Sequence, residues 1–471
     1  MAFKINFLVF DKENKKKNLY FKNIIDNNIS FSLLIGPNGT GKSLLLSKII
    51  DIFRDIKDKK DAKSSSRNVP RYYSISYTLD NISYQVKKNG SEYCYNNTLE
   101  NIKLPDTILA LSFLVEDKFT YQSDEHNDNS DMYKYLGIRS TANASFRGSV
   151  NKKIHTLLFE NINSPVFCDK VVKTFELLDY IPKVTIKFEY NLVRLINQTV
   201  TKRTINSKIK KIKESSGYLN KDIDNISEND KIEIIDYIKN VKGLRAKNSQ
   251  SKTFTKFTID FTDPTLAHNE LRIARKMVLL QLLKAPVFHI EQASSAIDFE
   301  TLSSGEKNLL YITLNILANA SNNSLIIIDE PEISLHPNWQ IVYNTHLKKI
   351  LSNFSNIHIF IATHSHFMVS GLTAEESSIF SLNTTKDITL ITDNTYSWSA
   401  ENILYKVFNT RTVNNYYIES DLSEALSLVT KQKSQLDHVR LNELYNSLQA
   451  VVLDTADPLN MVINRLAKLR S

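Results

Sequence analysis

The sequence predicts an α/β fold with a mostly parallel core sheet, an antiparallel β subdomain, an inserted helical lid and a helical C-terminal tail. Three observations lead to this class. A strand-like run at 30–35 leads directly into a glycine cluster and then a helix. Further strand-like runs at 286–290, 325–328 and 357–363 alternate with helical stretches, which is the pattern of a mostly parallel sheet. Residues 400–471 show helical spacing.

Composition and charge fit a globular protein of two or three domains. The chain has 471 residues, 42% of them hydrophobic, and its 59 Lys and Arg against 51 Asp and Glu give a net charge of +8. That excess permits an acidic partner such as nucleic acid. No apolar run reaches the roughly 18 residues of a membrane span, and Cys94 and Cys168 lie far apart with no second cysteine near either. We therefore expect a cytoplasmic protein with no membrane segment, disulfide framework or zinc knuckle.

The N-terminal half is predicted to contain several strands. Residues 3–10 are rich in β-branched and aromatic side chains, which favour a strand. The runs 71–79 and 82–87 predict a hairpin with a tight turn between them. The apolar run 107–115 is typical of a strand that is buried on both faces.

A basic insertion separates two strand-like runs, 184–190 and 254–261. Residues 191–253 carry 14 Lys and Arg against 7 Asp and Glu, so nearly all of the net positive charge lies here. The apolar positions sustain no heptad repeat, and we expect a short helical lid instead of a coiled-coil arm. The charge fits a solvated helical face, contact with nucleic-acid phosphates, or docking of an acidic protein. The residues that would face phosphates are Lys202, Arg203, Lys208, Lys210, Lys211 and Lys213.

The glycine cluster matches the phosphate-binding loop of nucleotide-binding proteins. Between a predicted strand and a predicted helix lie Gly36, Pro37, Asn38, Gly39, Thr40, Gly41, Lys42 and Ser43. Glycines let backbone N–H groups approach phosphates, and the helix presents its positive end to the anion. Lys42 would reach the β- and γ-phosphates, and the Ser43 hydroxyl would bind Mg²⁺. The motif predicts ATP and Mg²⁺ as cofactors.

Two carboxylates follow the apolar run 325–328. In a protein with a phosphate-binding loop, Asp329 would hold Mg²⁺ through water. Glu330 would orient or deprotonate the water that attacks the γ-phosphate. Taken alone, two adjacent acids at a strand end also fit a solvated turn.

Two further motifs occur in the second half of the chain. The segment Leu302-Ser303-Ser304-Gly305-Glu306 opens a predicted helix, and His364 follows the strand at 357–363. Taken alone, the segment also fits an ordinary serine N-cap with Glu306 in a capping box. A lone histidine at a strand end also fits a buried core residue.

Together the four motifs resemble the ABC-type ATPases, whose signature sequence is LSGGQ or LSGGE. Ser304 stands where that signature has its first glycine. The resemblance implies that ATP and Mg²⁺ lie between two copies of the chain. Lys42, Ser43, Asp329, Glu330 and His364 would come from one copy, with His364 contacting the γ-phosphate. Ser303 and Gly305 would come from the other.

The sequence DEPEISLHPNWQ after the strand at 325–328 resembles the soluble branch of this class, which contains RecF, SMC-like heads and the OLD-type ATPases of bacterial defence systems. Transporters have DEPTSALD at this point. The resemblance covers 1–145 and 266–400. Residues 133–140 and 398–422 are similar to the PtuA ATPases of the Septu anti-phage system. The glutamine that usually coordinates Mg²⁺ in this class has no counterpart in SFLVEDKF, the segment after the strand that begins at Thr107.

The resemblance implies an ATPase subunit that regulates a separately encoded nuclease, expected to be of the HNH type, in an anti-phage defence complex. The chain would form an ATP-sandwiched dimer or a higher oligomer. The alternative is a RecF- or SMC-like repair or recombination ATPase that acts directly on DNA. A nuclease in the same chain is not expected, because only 52 residues follow Glu419, and Asp454 and Asp457 do not form the Asp-x-Asp pair of a TOPRIM site.

Four regions are expected along the chain. Residues 1–145 would form the N-terminal half of an ATPase head, with the phosphate-binding loop. Residues 146–265 would form the basic lid, and residues 266–400 would form the second half of the head, with the signature and His364. Residues 401–471 would form a helical region that supplies part of a docking surface for the nuclease.

Overall fold

The computed structural model describes most of the chain in separate ranges. The described residues are 3–12, 15–22, 28–63, 69–114, 116–121, 131–138, 154, 157–158, 161–162, 164–189, 200–216, 223, 226–247, 254–263, 268–283, 287–291, 296–383, 387–412, 415–430, 437–452 and 457–470. The strands are β1 (Lys4–Lys12), β2 (Lys15–Tyr20), β3 (Ile29–Ile35), β4 (Tyr72–Leu79), β5 (Ile82–Asn89), β6 (Glu92–Tyr95), β7 (Thr107–Ser112), β8 (Tyr133–Tyr135), β9 (Lys183–Glu189), β10 (Phe254–Asp260), β11 (Val287–Glu291), β12 (Ala296–Asp298), β13 (Ser324–Asp329), β14 (Ile357–Thr363), β15 (Ser377–Leu382) and β16 (Ile388–Ile391).

The helices pack against the sheets and form the C-terminal region. They are α1 (Lys42–Lys60), α2 (Pro165–Leu177), α3 (Lys202–Ser216), α4 (Glu228–Lys247), α5 (His268–Leu279), α6 (Ser304–Asn319), α7 (Pro337–Leu351), α8 (His366–Ser370), α9 (Ala400–Lys406), α10 (Tyr416–Thr430), α11 (His438–Ala450) and α12 (Leu459–Arg470). None of the described helices combines the length and the apolar stretch that crossing a membrane requires.

The largest sheet has seven strands in the order β16-β15-β3-β14-β13-β7-β8. All neighbours pair in parallel except β16 with β15. Every residue of β13 and β14 is buried, because apolar layers cover both faces of the sheet. Ile326 and Ile328 contribute to the layer on one face, and Leu325 and Ile327 contribute to the layer on the other. The predicted α/β class with a mostly parallel core sheet is confirmed.

Two smaller antiparallel sheets flank this core, with the orders β2-β1-β4-β5-β6 and β10-β9-β11-β12. The run 286–290 was predicted to join the parallel sheet, and that prediction is wrong. It forms β11, which pairs with β9 and β12 in the second antiparallel sheet. The reason lies in its alternation: Phe288 and Ile290 are buried whereas Val287 is exposed, so only one face of the strand is covered.

Helix α1 follows β3 after the glycine-rich loop. Leu46, Ile50 and Phe53 recur at helical spacing and are fully buried in the layer between the core sheet and the first antiparallel sheet. The helix runs to Lys60, and the lysines in its last turn complement the helix dipole. The hairpin of β4 and β5 turns at Asp80 and Asn81, as expected.

The described part of the basic insertion contains α3 and α4, 15 and 20 residues long. Parts of this insertion, 191–199 and 248–253 among them, lie outside the described residues. The strands on either side of it, β9 and β10, pair with each other over their full lengths. Helices α10, α11 and α12 pack together in the C-terminal region, where Leu448 and Leu466 are fully buried.

Candidate ATP-binding site

The candidate site lies where β3, β14 and β13 end side by side in the core sheet. The register places Ile35 beside Thr363, and Ala362 beside Asp329. Parallel strands present their carboxyl ends at one edge of a sheet, which is where ligands of α/β proteins bind. Residues more than 280 positions apart in sequence are thereby brought into direct contact.

The phosphate-binding loop depends on three glycines in left-handed backbone conformations. The φ angles of Gly36, Gly39 and Gly41 are 144°, 78° and 96°. A side chain at Gly36 would also collide, since its Cβ would lie 2.1 Å from the carbonyl oxygen of Leu382. The loop conformation therefore requires glycine for steric reasons. Thr40 stabilises the turn by donating its hydroxyl hydrogen to the carbonyl of Pro37, 2.9 Å away.

The Lys42 side chain folds back over this loop. Its Nζ donates to the carbonyl oxygen of Gly36 at 2.9 Å and lies 2.8 Å from Nε2 of His364. Burial lowers the pKa of Lys42, although Glu330, Asp329 and Glu332 oppose that shift. A buried cation held by backbone carbonyls is positioned to exchange those weak partners for phosphate oxygens.

Ser43 and Asp329 form the part of the site suited to a divalent cation. The Ser43 hydroxyl donates to Oδ1 of Asp329 at 3.0 Å. Asp329 is 1% exposed, and its Oδ2 has no hydrogen-bond partner among the described residues. Burial, with added repulsion from Glu330 and Asp117, raises the pKa of Asp329 to about 7, although the Ser43 hydrogen bond and Lys42 lower it. A hydroxyl beside an unsatisfied carboxylate oxygen is the donor set that Mg²⁺ prefers.

The raised pKa of Asp329 predicts a pH-dependent stability in the absence of metal. The carboxyl takes up a proton on folding between about pH 4 and 7, so its effect on folding becomes unfavourable as pH rises through this window. Asp329→Asn should therefore be more stable than the parent at pH 8, by up to a few kcal/mol, because one pKa unit is about 1.4 kcal/mol. The two proteins should converge near pH 4. Thermal denaturation in EDTA measures this difference.

The exposed Asp393 provides the matched control, because Asp393→Asn changes the same charge outside the site. Adding Mg²⁺ at pH 8 should stabilise the parent and leave Asp329→Asn unchanged. Equal stabilities of parent and Asp329→Asn at pH 8 would contradict an uncompensated carboxylate at this position.

Glu330 faces His364 at the rim of the site. Its Oε1 lies 3.3 Å from Nε2 of His364. The hydrogen bond with His364 lowers the pKa of Glu330 against the opposing effect of burial, so this carboxylate is ionised and able to accept a proton. Glu330 has a φ of 49°, and its N–H donates to the carbonyl of Ala362 at 2.9 Å. The backbone thus turns sharply at the end of β13 and presents the carboxylate to the loop.

Sequence reasoning missed Glu332, which supports the position of His364. One carboxylate oxygen of Glu332 accepts the backbone N–H of His364, and the other is buried with no partner among the described residues. Burial raises the pKa of Glu332. Its only sequence signal is its place in the segment DEPE, where nothing distinguishes a buried acid from an exposed one.

Asp117 occupies the segment where no glutamine was found. It is 6% exposed, accepts the N–H of Phe119 at 3.0 Å and contacts the Tyr135 hydroxyl. Its charge contributes to the raised pKa of Asp329, so Asp117 lies near that carboxylate. Asp117 is visible in the sequence segment SFLVEDKF, but the neighbouring residues do not predict that its side chain is buried.

The signature segment lies at the start of α6. Ser303 caps the helix through a reciprocal capping box, in which its N–H donates to Glu306 at 2.7 Å and its Oγ accepts the Glu306 N–H at 3.2 Å. The N-cap interpretation is therefore realised in the structure. Ser303 and Ser304 are exposed, whereas a Cβ at the buried Gly305 would lie 2.3 Å from the carbonyl oxygen of Ser334. These contacts leave the hydroxyl-bearing end of the helix open to a second molecule.

The profile of the AAA ATPase domain matches residues 15–369, which include the phosphate-binding loop, the signature segment, β13 and His364. The chain belongs to this family. This AAA ATPase domain protein is thus an ATP-binding enzyme of the phosphate-binding-loop class that hydrolyses ATP.

A curated relative of this AAA ATPase domain protein is the retron Vc95 probable ATPase of Vibrio cholerae serotype O1 biovar El Tor. It is 22% identical over 395 residues, which cover 74% of this chain and 68% of the relative. Among solved structures, the SMC head domain from Thermotoga maritima aligns at 11% identity and a TM-score of 0.36, covering 82% of this chain and 98% of that one. The Smc head domain of Pyrococcus furiosus bound to a ScpA domain aligns at 14% identity and a TM-score of 0.32, covering 83% and 96%.

Proposed function

We propose that the site binds ATP with Mg²⁺ and that Glu330 activates the attacking water. The observation that carries this proposal is the direct contact of Lys42 with His364 and of Ser43 with Asp329 at neighbouring strand ends. Lys42 and the loop N–H groups would neutralise the phosphates, while Ser43 and Asp329 would hold the cation. Bound Mg²⁺ would supply charge stabilisation of the transferred phosphoryl group.

His364 would complete the site opposite the γ-phosphate. Its Nε2 lies near both Lys42 and Glu330, so a phosphate in the site would meet all three side chains. A catalytic water would lie between the phosphate and Glu330, whose ionised carboxylate accepts the proton as the water attacks. Ser303 and Gly305 of a second copy would close the site from the other side, which requires a homodimer or a higher oligomer.

We assign the ATPase to an anti-phage defence complex in which it regulates a separately encoded nuclease of the HNH type. Two observations support this assignment: the curated relative is a retron ATPase, and segments 133–140 and 398–422 resemble the PtuA ATPases of the Septu system. ATP occupancy would change how the heads pair and thereby control the nuclease. The domain ranges 1–145, 146–265, 266–400 and 401–471 would form the two halves of the head, the lid and the tail.

The C-terminal helices are proposed to dock the nuclease and not to act as one. Asp421 accepts hydrogen bonds from Tyr405 at 2.9 Å and Arg440 at 3.4 Å and contacts Lys406, so its carboxylate joins α9, α10 and α11. Asp457 is similarly bound by Arg411 at 3.0 Å, and Asp454 lies outside the described residues. The carboxylates of Asp421 and Asp457 therefore hold segments of the tail together.

The experiment that tests this function combines the purified chain with the product of the neighbouring reading frame. The chain alone should hydrolyse ATP with Mg²⁺ and should not cleave DNA with Mg²⁺ or Mn²⁺. Cleavage should require the second protein, and Lys42→Ala should alter cleavage while the complex still forms by native mass spectrometry. Metal-dependent cleavage by the isolated chain that is lost in the double variant Glu419→Ala/Asp421→Ala would replace this proposal with a nuclease in the same chain. A repair gene as the neighbour would favour an ATPase that acts directly on DNA.

The basic lid is proposed to contact nucleic acid through α3. Lys210, Lys211 and Lys213 are exposed on this helix. Reversing their charges together with Lys208 should weaken DNA binding and flatten its dependence on salt, because fewer counterions are released. Fluorescence anisotropy at several salt concentrations measures both effects.

A matched variant reverses four exposed lysines outside the lid: Lys16, Lys63, Lys103 and Lys173. It changes the net charge equally, so its smaller effect would locate the interaction on α3. Equal effects of the two variants would mean that only overall charge matters.

A further inference from the structure

The Tyr180 hydroxyl connects the signature turn to the lid-bearing part of the fold. Tyr180 is 6% exposed and lies in the short connection between α2 and β9. Its hydroxyl donates to Oε1 of Glu306, and Oε2 of Glu306 accepts the N–H of Ser303 at 2.7 Å. A continuous hydrogen-bonded path thus runs from Tyr180 through Glu306 to Ser303.

The charges along this path favour a fixed geometry. Burial would raise the pKa of Glu306, but hydrogen bonds from Tyr180 and Ser303 outweigh it and lower that pKa. Burial and the Glu306 carboxylate raise the pKa of Tyr180, so the phenol keeps its proton and acts as the donor. In a capping box one carboxylate oxygen accepts the N-cap N–H, and the motif itself supplies no partner for the other oxygen. Here a buried donor holds the second oxygen and restricts the side chain of Glu306.

The connection that carries Tyr180 is itself fixed to the second antiparallel sheet. The N–H of Ile181 donates to the carbonyl of Glu291 at 2.9 Å, at the end of β11. The carbonyl of Pro182 accepts the N–H of Phe261 at 3.0 Å, directly after β10. Strands β9 and β10 are the two between which the basic insertion lies. A displacement of this strand pair therefore moves the backbone that positions the Tyr180 hydroxyl.

We propose that Tyr180 is a positioning residue for the signature turn and that it couples this turn to the lid-bearing strands. Tyr180 does not reach the nucleotide; it acts through Glu306 on the backbone of Ser303. The inference rests on the proposed function in one respect, namely that Ser303 contacts ATP bound by a second copy. A ligand that displaces the lid of one copy would therefore alter ATP hydrolysis at the site of the second copy.

Tyr180→Phe tests the proposal, because it removes the hydroxyl and keeps the buried ring. We expect kcat for ATP hydrolysis to fall about tenfold. KM for ATP should change by less than about twofold, since the loop that binds most of the nucleotide is untouched. Tyr77→Phe is the matched control: it removes a buried hydroxyl that donates to the carbonyl of Lys103 at 2.6 Å, away from the signature turn. It should retain the parent kcat.

The hydrogen-bonded path through Glu306 predicts a second, independent result for kcat. Glu306→Gln should reduce kcat similarly, and the double variant Tyr180→Phe/Glu306→Gln should be no slower than the worse single variant, because both break one path. Strictly additive losses would overturn the path. Trp339, which lies next to Gly305, gives a direct readout of the turn when Trp398 is replaced by Phe. Its emission should change with Tyr180→Phe and not with Tyr77→Phe.

The outcomes separate this inference from the proposed function. A parent-like kcat for Tyr180→Phe, alongside an inactive Ser303→Arg, would overturn the positioning role and leave the composite site intact. A parent-like kcat for Ser303→Arg would reject the composite site itself. If Tyr180→Phe lowers thermal stability much more than Tyr77→Phe does, Glu306→Gln serves in its place, and a parent-like kcat for that variant overturns the proposal.

Discussion

Glu330→Gln is expected to slow ATP hydrolysis by about 10²-fold or more while ATP binding is retained. The substitution removes the carboxylate that is proposed to accept the proton of the attacking water, and the amide that replaces it has almost the same shape. Lys42 and Asp329 keep their positions, because neither depends on Glu330 for a hydrogen bond. Steady-state hydrolysis together with equilibrium binding of ATP separates the two effects.

Lys42→Ala provides the contrast within the same site. Its Nζ is the buried cation nearest the loop carbonyls, and without it ATP binding itself should weaken. The pair of variants therefore predicts opposite patterns: loss of turnover with tight binding for Glu330→Gln, and loss of binding for Lys42→Ala. A Glu330→Gln variant that hydrolyses ATP at the parent rate would show that Glu330 is not the base.

The contacts of this site were predictable where a local motif fixes both the backbone and the chemistry. The glycines, the lysine and the serine of the phosphate-binding loop lie within eight residues, so the loop conformation follows from local sterics alone. The contact of Ser43 with Asp329 was also foreseeable, because both residues follow buried strands of one parallel sheet. In both cases each residue belongs to a motif that can be recognised from its immediate sequence neighbours.

Other parts of the site depend on the burial of individual side chains, which cannot be predicted from the local sequence. Glu332 and Asp117 resemble exposed acids until the packing of β13 and β7 places them inside. Tyr180 and Glu306 lie 126 positions apart and belong to no shared motif. The strand at 286–290 was assigned to the wrong sheet because so short a strand-like run is compatible with either pairing. Partner choice among strands is a long-range property.

Mixing a Lys42→Ala chain with a Ser303→Arg chain should restore ATPase activity that neither chain has alone. Each heterodimer would contain one site with both defects and one intact site, built from the phosphate-binding loop of the Ser303→Arg chain and the signature of the Lys42→Ala chain. Ser303 is exposed, so an Arg side chain extends away from its own chain, toward the partner's site in the proposed dimer. The substitution also removes the N-cap of α6, at a cost of about 1 kcal/mol of helix stability.

The size of the recovery follows from the symmetry of the dimer. Random pairing makes half of the dimers mixed, and each of these has one working site of two, so the mixture should reach about a quarter of the parent activity. Differentially tagged chains allow the heterodimer to be purified and measured directly, where about half of the parent activity is expected if the two sites act independently. Purified heterodimers without activity would mean either that hydrolysis needs both sites or that each site is completed within its own chain. A heterodimer of the parent chain with a Lys42→Ala/Ser303→Arg chain distinguishes these, because it keeps one intact site if each site is completed within its own chain and none if the sites are shared.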